Sequence, residues 1–457
     1  MNIYDTIAAI STPLGEGGIG IVRISGEKAE EVMTEIFQPR FEKFPLKSHR
    51  LYLGNIINPD NKEKIDEVLV SFMKKPHTFT REDVVEINCH GGIVPLKQIL
   101  AVVLARGVRL AERGEFTRRA FLNGRLDLAQ AEGLLQIIRA KTETGLKAAL
   151  NQLEGSLSGK VKEIRREILL IIAHLEAAID FPEEDLVELE PEGIKSQAKA
   201  LADKLANLLK ESERGRIYRE GVETAIIGRP NVGKSSLLNA LLREERAIVT
   251  EVPGTTRDQL IEYVNIKGIP LKLVDTAGIR ETGDRVERIG VERARHAAVE
   301  SDIVLFVLDA SEPLKEEDRQ LAASLGDKQG IIVLNKIDLG EKIKEKDVAG
   351  WLANQKIVRT ALIYGEGINS LEEAVAELVL SGTMEVERST FLASMRQKQC
   401  LERAQKHLQE VVEGDFTAPE LLAVDLYEAY NALGEITGEN IGEDVLDTIF
   451  AEFCIGK

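Results

Sequence analysis

From Met1 to about Arg118 short apolar runs alternate with turns: DTIAAIST, GIGIVRIS, RLYLGNI, DEVLVSFM and DVVEINCH. Several are rich in β-branched side chains, which suit a pleated, half-buried surface, so they predict the strands of an α+β or mixed sheet. The segment LKQILAVVLARG, 96–107, changes to helical spacing and ends on glycine, which predicts a helix packed on that sheet. Further on, Leu146, Leu150, Leu153, Leu157, Val161, Ile164, Ile168, Ile171 and Leu175 recur at alternating intervals of four and three. That seam predicts one long helix, either in an antiparallel bundle or in an intermolecular coiled coil. Pro182 and the acidic run 183–185 predict its end, and 194–213 predicts another helix with Leu201, Leu205 and Leu208 on one face.

At Val222 the pattern becomes strand-helix-strand, through VETAIIG, LIEYVNI, LKLVDTAG, IVLFVLDA, IIVLNKID and KIVRTAL. Near-continuous apolar strands in such alternation imply a mostly parallel sheet covered by helices on both faces. From about residue 384 the chain is helical again, so the simplest architecture inserts an α/β domain into a discontinuous helical one. At 457 residues the chain is long enough for about three domains of ordinary size.

Composition narrows the function classes. A net charge of −17 speaks against a protein that coats nucleic acid through a broad cationic surface, though a local basic patch remains compatible with it. Cys89, Cys400 and Cys454 are widely spaced and odd in number, so neither a disulfide framework nor a zinc site is expected, and a reducing compartment fits. Cys89 and His90 are neighbours with no spaced partner pair, which is not a metal site. The apolar run ILLIIA, 168–173, is far below the roughly 20 residues that span a bilayer, and MNIYDTIAAISTP lacks the basic start of a secretory signal. A cytoplasmic protein without membrane association is expected.

The chemistry concentrates in the α/β segment. GRPNVGKSS, 228–236, contains GxxxxGK[ST] between an apolar strand and the helix SSLLNALL, the context a phosphate loop requires. Asn231, Val232, Gly233, Lys234, Ser235 and Ser236 would cradle phosphates, with Lys234 on the terminal ones and the Ser235 hydroxyl on magnesium. In TEVPGTTRD, the residues Thr250, Glu251, Val252, Pro253, Gly254, Thr255 and Thr256 predict a switch in which Thr256 reaches magnesium only when the third phosphate is present. DTAG (Asp275, Thr276, Ala277, Gly278) offers a carboxylate to magnesium, directly or through water, and an amide to that phosphate. In NKID, Asn335 and Lys336 precede Asp338, whose carboxylate can accept both N–H groups of a guanine edge, which selects GTP over ATP. Thr360, Ala361 and Leu362 fall where a backbone loop would meet the guanine oxygen. After DTAG stands Ile279 where a Ras-type enzyme has its water-positioning glutamine, so hydrolysis needs another charge. A partner's arginine or a monovalent cation would supply it, with a carboxylate from GDRVERIG orienting water.

These motifs, together with DTAGIRETGDRVERIG, the N-terminal DTIAAISTPLGEGGIGIVRISG and the final FCIGK, resemble the MnmE (TrmE) family of tRNA-modification GTPases over essentially the whole chain. The resemblance implies a multidomain fold: an N-terminal α+β folate-binding and dimerisation domain (1–118), a discontinuous α-helical domain (119–217 and 384–457), and an inserted Ras-like α/β P-loop GTPase domain (218–383). It implies a homodimer that works with a flavin-binding partner of the MnmG/GidA type, with FAD on that partner. The pair would install an aminomethyl-type group at C5 of the wobble uridine of certain tRNAs, drawing one carbon from 5-formyl- or methylene-tetrahydrofolate. By the same resemblance potassium lies at Asn231, Thr250, Val252 and Thr255, Glu287 aligns the attacking water, and folate meets Arg23, Glu86, Arg125 and Lys457. Cys454 would act as a nucleophile or a redox group. Arg118, Arg119, Arg125, Arg165 and Arg166 are candidates for tRNA phosphate.

Overall fold

The computed structural model describes residues 5–180, 191–242, 247–248, 262–274, 298, 300–380, 393–414 and 419–457. The chain divides into two compact units: Met1–Leu135 with Leu157–Ala198 and Lys406–Lys457, and 136–156 with 199–405.

In the first unit, β1 (Ile7–Ile10), β2 (Gly17–Ser25), α1 (Ala29–Ile36), β3 (Phe37–Pro39), β4 (Arg50–Ile57), β5 (Lys64–Met73), β6 (Val84–Gly91), α2 (Ile93–Leu104) and β7 (Arg109–Leu110) follow in order. They form a seven-stranded sheet ordered β3-β4-β5-β6-β2-β1-β7, antiparallel except for the β1–β7 pair. Because successive residues of a strand face opposite sides, β1 serves two cores. Ala8 joins Val22, Ile24 and Ile87 with residues of α1 and α2, while Ile7 and Ala9 pack with Phe116 of α3 (Glu115–Leu122). The short apolar runs of the sequence are therefore strands, as expected, and the predicted helix is α2.

The helices α4 (Leu128–Arg139), α5 (Glu143–Leu153), α6 (Ser156–Asp180) and α7 (Pro191–Glu220) come next. The heptad seam does not form one helix. The chain breaks at Glu154 and Gly155, where Gly155 takes φ +91°, and only the part from Leu157 onward is a buried stripe. Leu146 and Leu150 are exposed, because α5 buries Gly145, Ala148, Ala149 and Gln152 instead. Small residues let α5 approach closely, and Thr142 caps its start by accepting a bond from the Gly145 amide at 3.1 Å. Leu201, Leu205 and Leu208 of α7 are buried as their spacing predicts. The stop signal at Pro182 and 183–185 lies outside the described residues.

In the second unit, β8 (Val222–Ile227), α8 (Lys234–Leu241), β9 (Ala247–Ile248), β10 (Glu262–Ile266), β11 (Ile269–Val274), β12 (Ile303–Asp309), α9 (Glu316–Leu325), β13 (Gln329–Asn335), β14 (Ala353–Thr360) and α10 (Ile368–Leu380) alternate. Their sheet is ordered β14-β13-β12-β8-β11-β10-β9, parallel from β14 to β11 and antiparallel at β10 and β9. Every residue of β12 is buried. Leu305 and Val307 share a core with α8 and α10, while Val304, Phe306 and Leu308 face α9. Helices cover both faces, as the apolar strands require.

Three helices close the chain: α11 (Met395–Glu413), α12 (Pro419–Thr437) and α13 (Glu443–Ala451). Within the first unit α13 packs Leu446 and Phe450, with Phe453 beyond it, against Leu128, Ala131 and Leu135 of α4. That packing fixes where the last residues run.

Candidate functional site

The phosphate loop grows from β8 and turns into α8, and its shape follows from two close approaches. Gly233 has φ +111°, and a Cβ built there would overlap the side-chain amide of Asn335, so no other residue fits. The Asn335 amide donates to the Val232 carbonyl at 2.9 Å, and its oxygen accepts from Thr360 Oγ1 at 3.2 Å and from the Leu362 amide at 3.3 Å. Thus the first residue of NKID ties the phosphate loop to the 360–362 loop. Lys336 Nζ donates to the Asn231 carbonyl at 2.8 Å and to Asp309 Oδ2 at 2.6 Å. Burial alone would raise the Asp309 carboxyl, but hydrogen bonds from Lys336 and Ser311 outweigh it and hold it below its ordinary value. Asp309 ends β12 in a run that reads only as a buried strand, which is why sequence inspection misses it. Asp338 follows in the 3-10 turn Ile337–Leu339, exposed and hence open to a base.

Lys234 opens α8, and its ammonium donates to the carbonyls of Gly228 and Arg229, each at 2.7 Å. Burial, helped by the charge of Arg229, pushes it down to about 8. A half-buried cation whose hydrogen-bond partners among the described residues are neutral carbonyls is electrostatically suited to receive an anion. Ser235 and Ser236 follow in the first turn of the same helix. Arg229 itself is fixed by Asp318, with Nε to Oδ1 at 2.6 Å, and so braces the loop against α9. The remaining nucleotide residues expected from sequence, Thr250, Glu251, Val252, Pro253, Gly254, Thr255, Thr256, Asp275, Thr276, Ala277, Gly278 and Glu287, lie outside the described residues, as does Ile279.

A second constellation lies in the first unit. Arg23 of β2 stands opposite Glu86 of β6 in register, and its Nε donates to Glu86 Oε1 at 2.8 Å. Arg23 Nη1 also donates to the Gly456 carbonyl at 3.1 Å, and the guanidinium carbon lies 5.9 Å from the Phe79 ring and 5.6 Å from that of Phe116. The tail is anchored repeatedly: Arg113 Nε donates to Phe453 O at 3.1 Å, the Gly114 amide to Cys454 O at 3.4 Å, and Ser11 Oγ to Gly456 O at 3.1 Å. Gly456 has φ +89° and passes against Ile10 O and Ser11, leaving no room for a Cβ. These anchors bring half-buried Lys457 and exposed Cys454 to the strand end that carries Arg23. Arg125 donates from Nη1 to the Phe79 carbonyl at 3.1 Å and lies 4.8 Å from the same ring. Phe79, Phe116 and Gly456 carry no sequence signal of their own, because the tail that bears Gly456 meets the segments of Phe79 and Phe116 from the far end of the chain.

Several other candidates are internal. Arg119 is buried, bonded to Asp5 and Glu82, and Arg165 is buried between Tyr430 and Glu439, so neither is available to tRNA phosphate. Arg118 pairs with Asp447 at 2.6 Å. Cys89 and Cys400 are buried, and burial pushes the Cys89 thiol up to about 11, which makes it inert at neutral pH. Among the described residues no helix is long and apolar enough to cross a membrane.

A mostly parallel sheet with a phosphate-loop sequence at its β8–α8 turn and the NKID sequence at the end of β13 defines a P-loop GTPase, here joined to an α+β domain and helices. The sequence comparisons specify which. The model of the MnmE helical domain matches residues 128–454, and that of the N-terminus of the GTP-binding protein TrmE matches residues 6–125. The chain belongs to the MnmE family of tRNA modification GTPases. The tRNA modification GTPase MnmE of Thermoanaerobacter pseudethanolicus is 50% identical over 460 residues, covering 100% of both chains. Those of Acetivibrio thermocellus and Geobacillus thermodenitrificans are each 48% identical, over 455 and 462 residues, covering 99% and 100% of both chains. Among solved structures, the G domain of the T. maritima FeoB iron transporter is 28% identical over 34% of this chain and 98% of its own, with a TM-score of 0.26. The protein is a GTP-hydrolysing enzyme of tRNA modification.

Proposed function

We propose that this enzyme acts as a homodimer with a flavin-binding partner of the MnmG/GidA type, which carries FAD. Together they add an aminomethyl or carboxymethylaminomethyl group at C5 of uridine 34 of certain tRNAs, using one carbon of 5-formyl- or methylene-tetrahydrofolate. The observation that carries this reading is the Arg23–Glu86 pair bonded to the tail carbonyl of Gly456, which joins a carboxylate, a guanidinium and the thiol-bearing tail, with the guanidinium beside Phe79 and Phe116. Glu86 would accept the N–H donors of a pterin edge, while Arg23, Arg125 and Lys457 would donate to its carbonyl and carboxylates. Cys454, exposed in the same tail, would act as a nucleophile at uridine C6 or as a redox group. Titration of the full chain with 5-formyltetrahydrofolate is expected to show binding, weakened about 10-fold or more by Arg23→Ala with GTP turnover retained. Absence of binding by the wild type at high protein concentration would instead favour a GTPase that checks RNA maturation without one-carbon chemistry.

For the hydrolysis itself, Ser235 and Thr256 would hold magnesium, with Asp275 close by. Potassium would take the Asn231 side-chain oxygen and the carbonyls of Thr250, Val252 and Thr255. When bound, these ions supply positive charge to the phosphates. Glu287 would orient the attacking water, filling the role left open by Ile279. GTP turnover is therefore expected to be faster in potassium than in sodium at equal ionic strength, and Glu287→Ala is expected to cost on the order of 10²-fold. Equal rates in the two salts would remove the cation from the scheme, and an unimpaired Glu287→Ala variant would remove the glutamate.

A further inference from the structure

Arg81 belongs to neither the nucleotide residues nor the expected folate set, yet it stands beside one member of that set. Its Nη1 donates to the Asn123 carbonyl at 2.8 Å, the Asn123 amide donates to the Thr80 carbonyl at 2.7 Å, and Arg125 donates to the Phe79 carbonyl at 3.1 Å. Three bonds thus stitch the loop carrying Phe79 and Arg81 to the loop carrying Asn123 and Arg125. Both guanidinium groups are exposed, and among the described residues neither is hydrogen-bonded or ion-paired to a carboxylate. Burial, with the like charge of Arg81 added to it, lowers Arg125. Arg81 also takes a left-handed backbone, φ 59°, which costs a non-glycine residue about 1 kcal/mol and is kept only where surrounding bonds impose it.

In a chain with a net charge of −17, carboxylates are plentiful, and among the described residues most buried or half-buried arginines are paired with one. Two adjacent arginines whose hydrogen-bond partners among the described residues are backbone carbonyls keep donor capacity and positive charge for something outside the chain. The chemistry around Phe79 is also graded. Arg23, neutralised by Glu86, approaches the ring at 5.9 Å, and Arg125, not neutralised, approaches it at 4.8 Å. A reduced folate has the same order of groups: a donor-rich pterin, an aromatic linker and an anionic glutamate tail.

We propose that Arg81 and Arg125 together form an anion-binding subsite for the glutamate carboxylates of a reduced folate, with Arg81 as the residue that discriminates tail charge. This rests on the folate reading given above. Arginine is suited to the task because its planar fork meets a carboxylate through two donors, which lysine cannot do.

The test is calorimetric titration of the full chain with three ligands: 5-formyltetrahydrofolate bearing one glutamate, the same compound bearing three, and the pteroyl amide that lacks glutamate. The wild type is expected to bind the triglutamate about tenfold more tightly than the amide, a preference that falls as salt rises. Arg81→Ala should remove most of that preference while leaving affinity for the amide unchanged, and Arg81→Lys should keep part of it. Equal affinity of the wild type for the triglutamate and the amide would overturn the inference and leave the folate reading standing. So would an Arg81→Ala variant that loses affinity equally for all three, which marks a structural role. Loss of tRNA binding by Arg81→Ala with folate affinity intact would overturn it in favour of RNA phosphate, and failure of the wild type to bind any of the three would remove the folate reading and the subsite together.

Discussion

Replacement of Lys234 by alanine is expected to lower GTP turnover on the order of 10²–10³-fold while the protein remains folded. Among the described residues the hydrogen-bond partners of this ammonium are the carbonyls of Gly228 and Arg229, and burial already pushes it down to about 8. Its charge is thus poorly compensated by the protein itself. A polyphosphate supplies the missing negative charge, and the gain grows as charge develops on the transferring group. Removing the ammonium removes that gain without opening the core, since Leu237, Leu238 and Leu241 carry the packing of α8. Steady-state turnover alongside a thermal melt separates the two effects. A variant that hydrolyses GTP within threefold of the wild type would show that Lys234 does not stabilise the transition state.

Asp338→Asn is expected to exchange guanine for xanthine. A carboxylate accepts from both guanine N–H donors, a charge-assisted bidentate pair worth about 3 kcal/mol, or roughly 10²-fold in affinity. An asparagine presents one acceptor and one donor, which matches xanthine, where a carbonyl replaces the amino group. Backbone placement should survive, because the turn is held by Asn335 and Lys336 rather than by the Asp338 side chain. Competition between GTP and xanthosine triphosphate checks this. Undiminished GTP binding by the variant would mean that the base is read elsewhere.

Both predictions rest on motifs that are legible because their chemistry is local. The phosphate loop and NKID each lie at the end of an apolar strand, and parallel strands announce themselves by continuous burial, as β12 does. The strands of the N-terminal sheet are legible as short apolar, β-branched runs between turns. Helix geometry is less so. Leu146, Leu150 and Leu153 continue the stripe of α6 by spacing, yet the chain breaks at Gly155 and α5 turns its alanines inward, since close packing outweighs the pattern of large side chains. The charge of an arginine does not tell its use either: Arg119 and Arg165 are buried in ion pairs, whereas Arg81 and Arg125 are not. Least legible is the pairing of the tail with the segment after β7, where Arg113 stands opposite Ile455. A five-residue segment has no period to read, and its position is set by the burial of Phe450 and Phe453.

GTP hydrolysis at Lys234 is expected to be required for the tRNA chemistry. The most direct measurement is mass spectrometry of wobble uridines in tRNA from cells lacking this protein, resupplied with either the wild type or Lys234→Ala. The modified nucleoside is expected to vanish without the protein, to return with the wild type, and to stay absent with the variant. Unchanged wobble nucleosides in cells lacking the protein would contradict the account while leaving its GTPase activity intact.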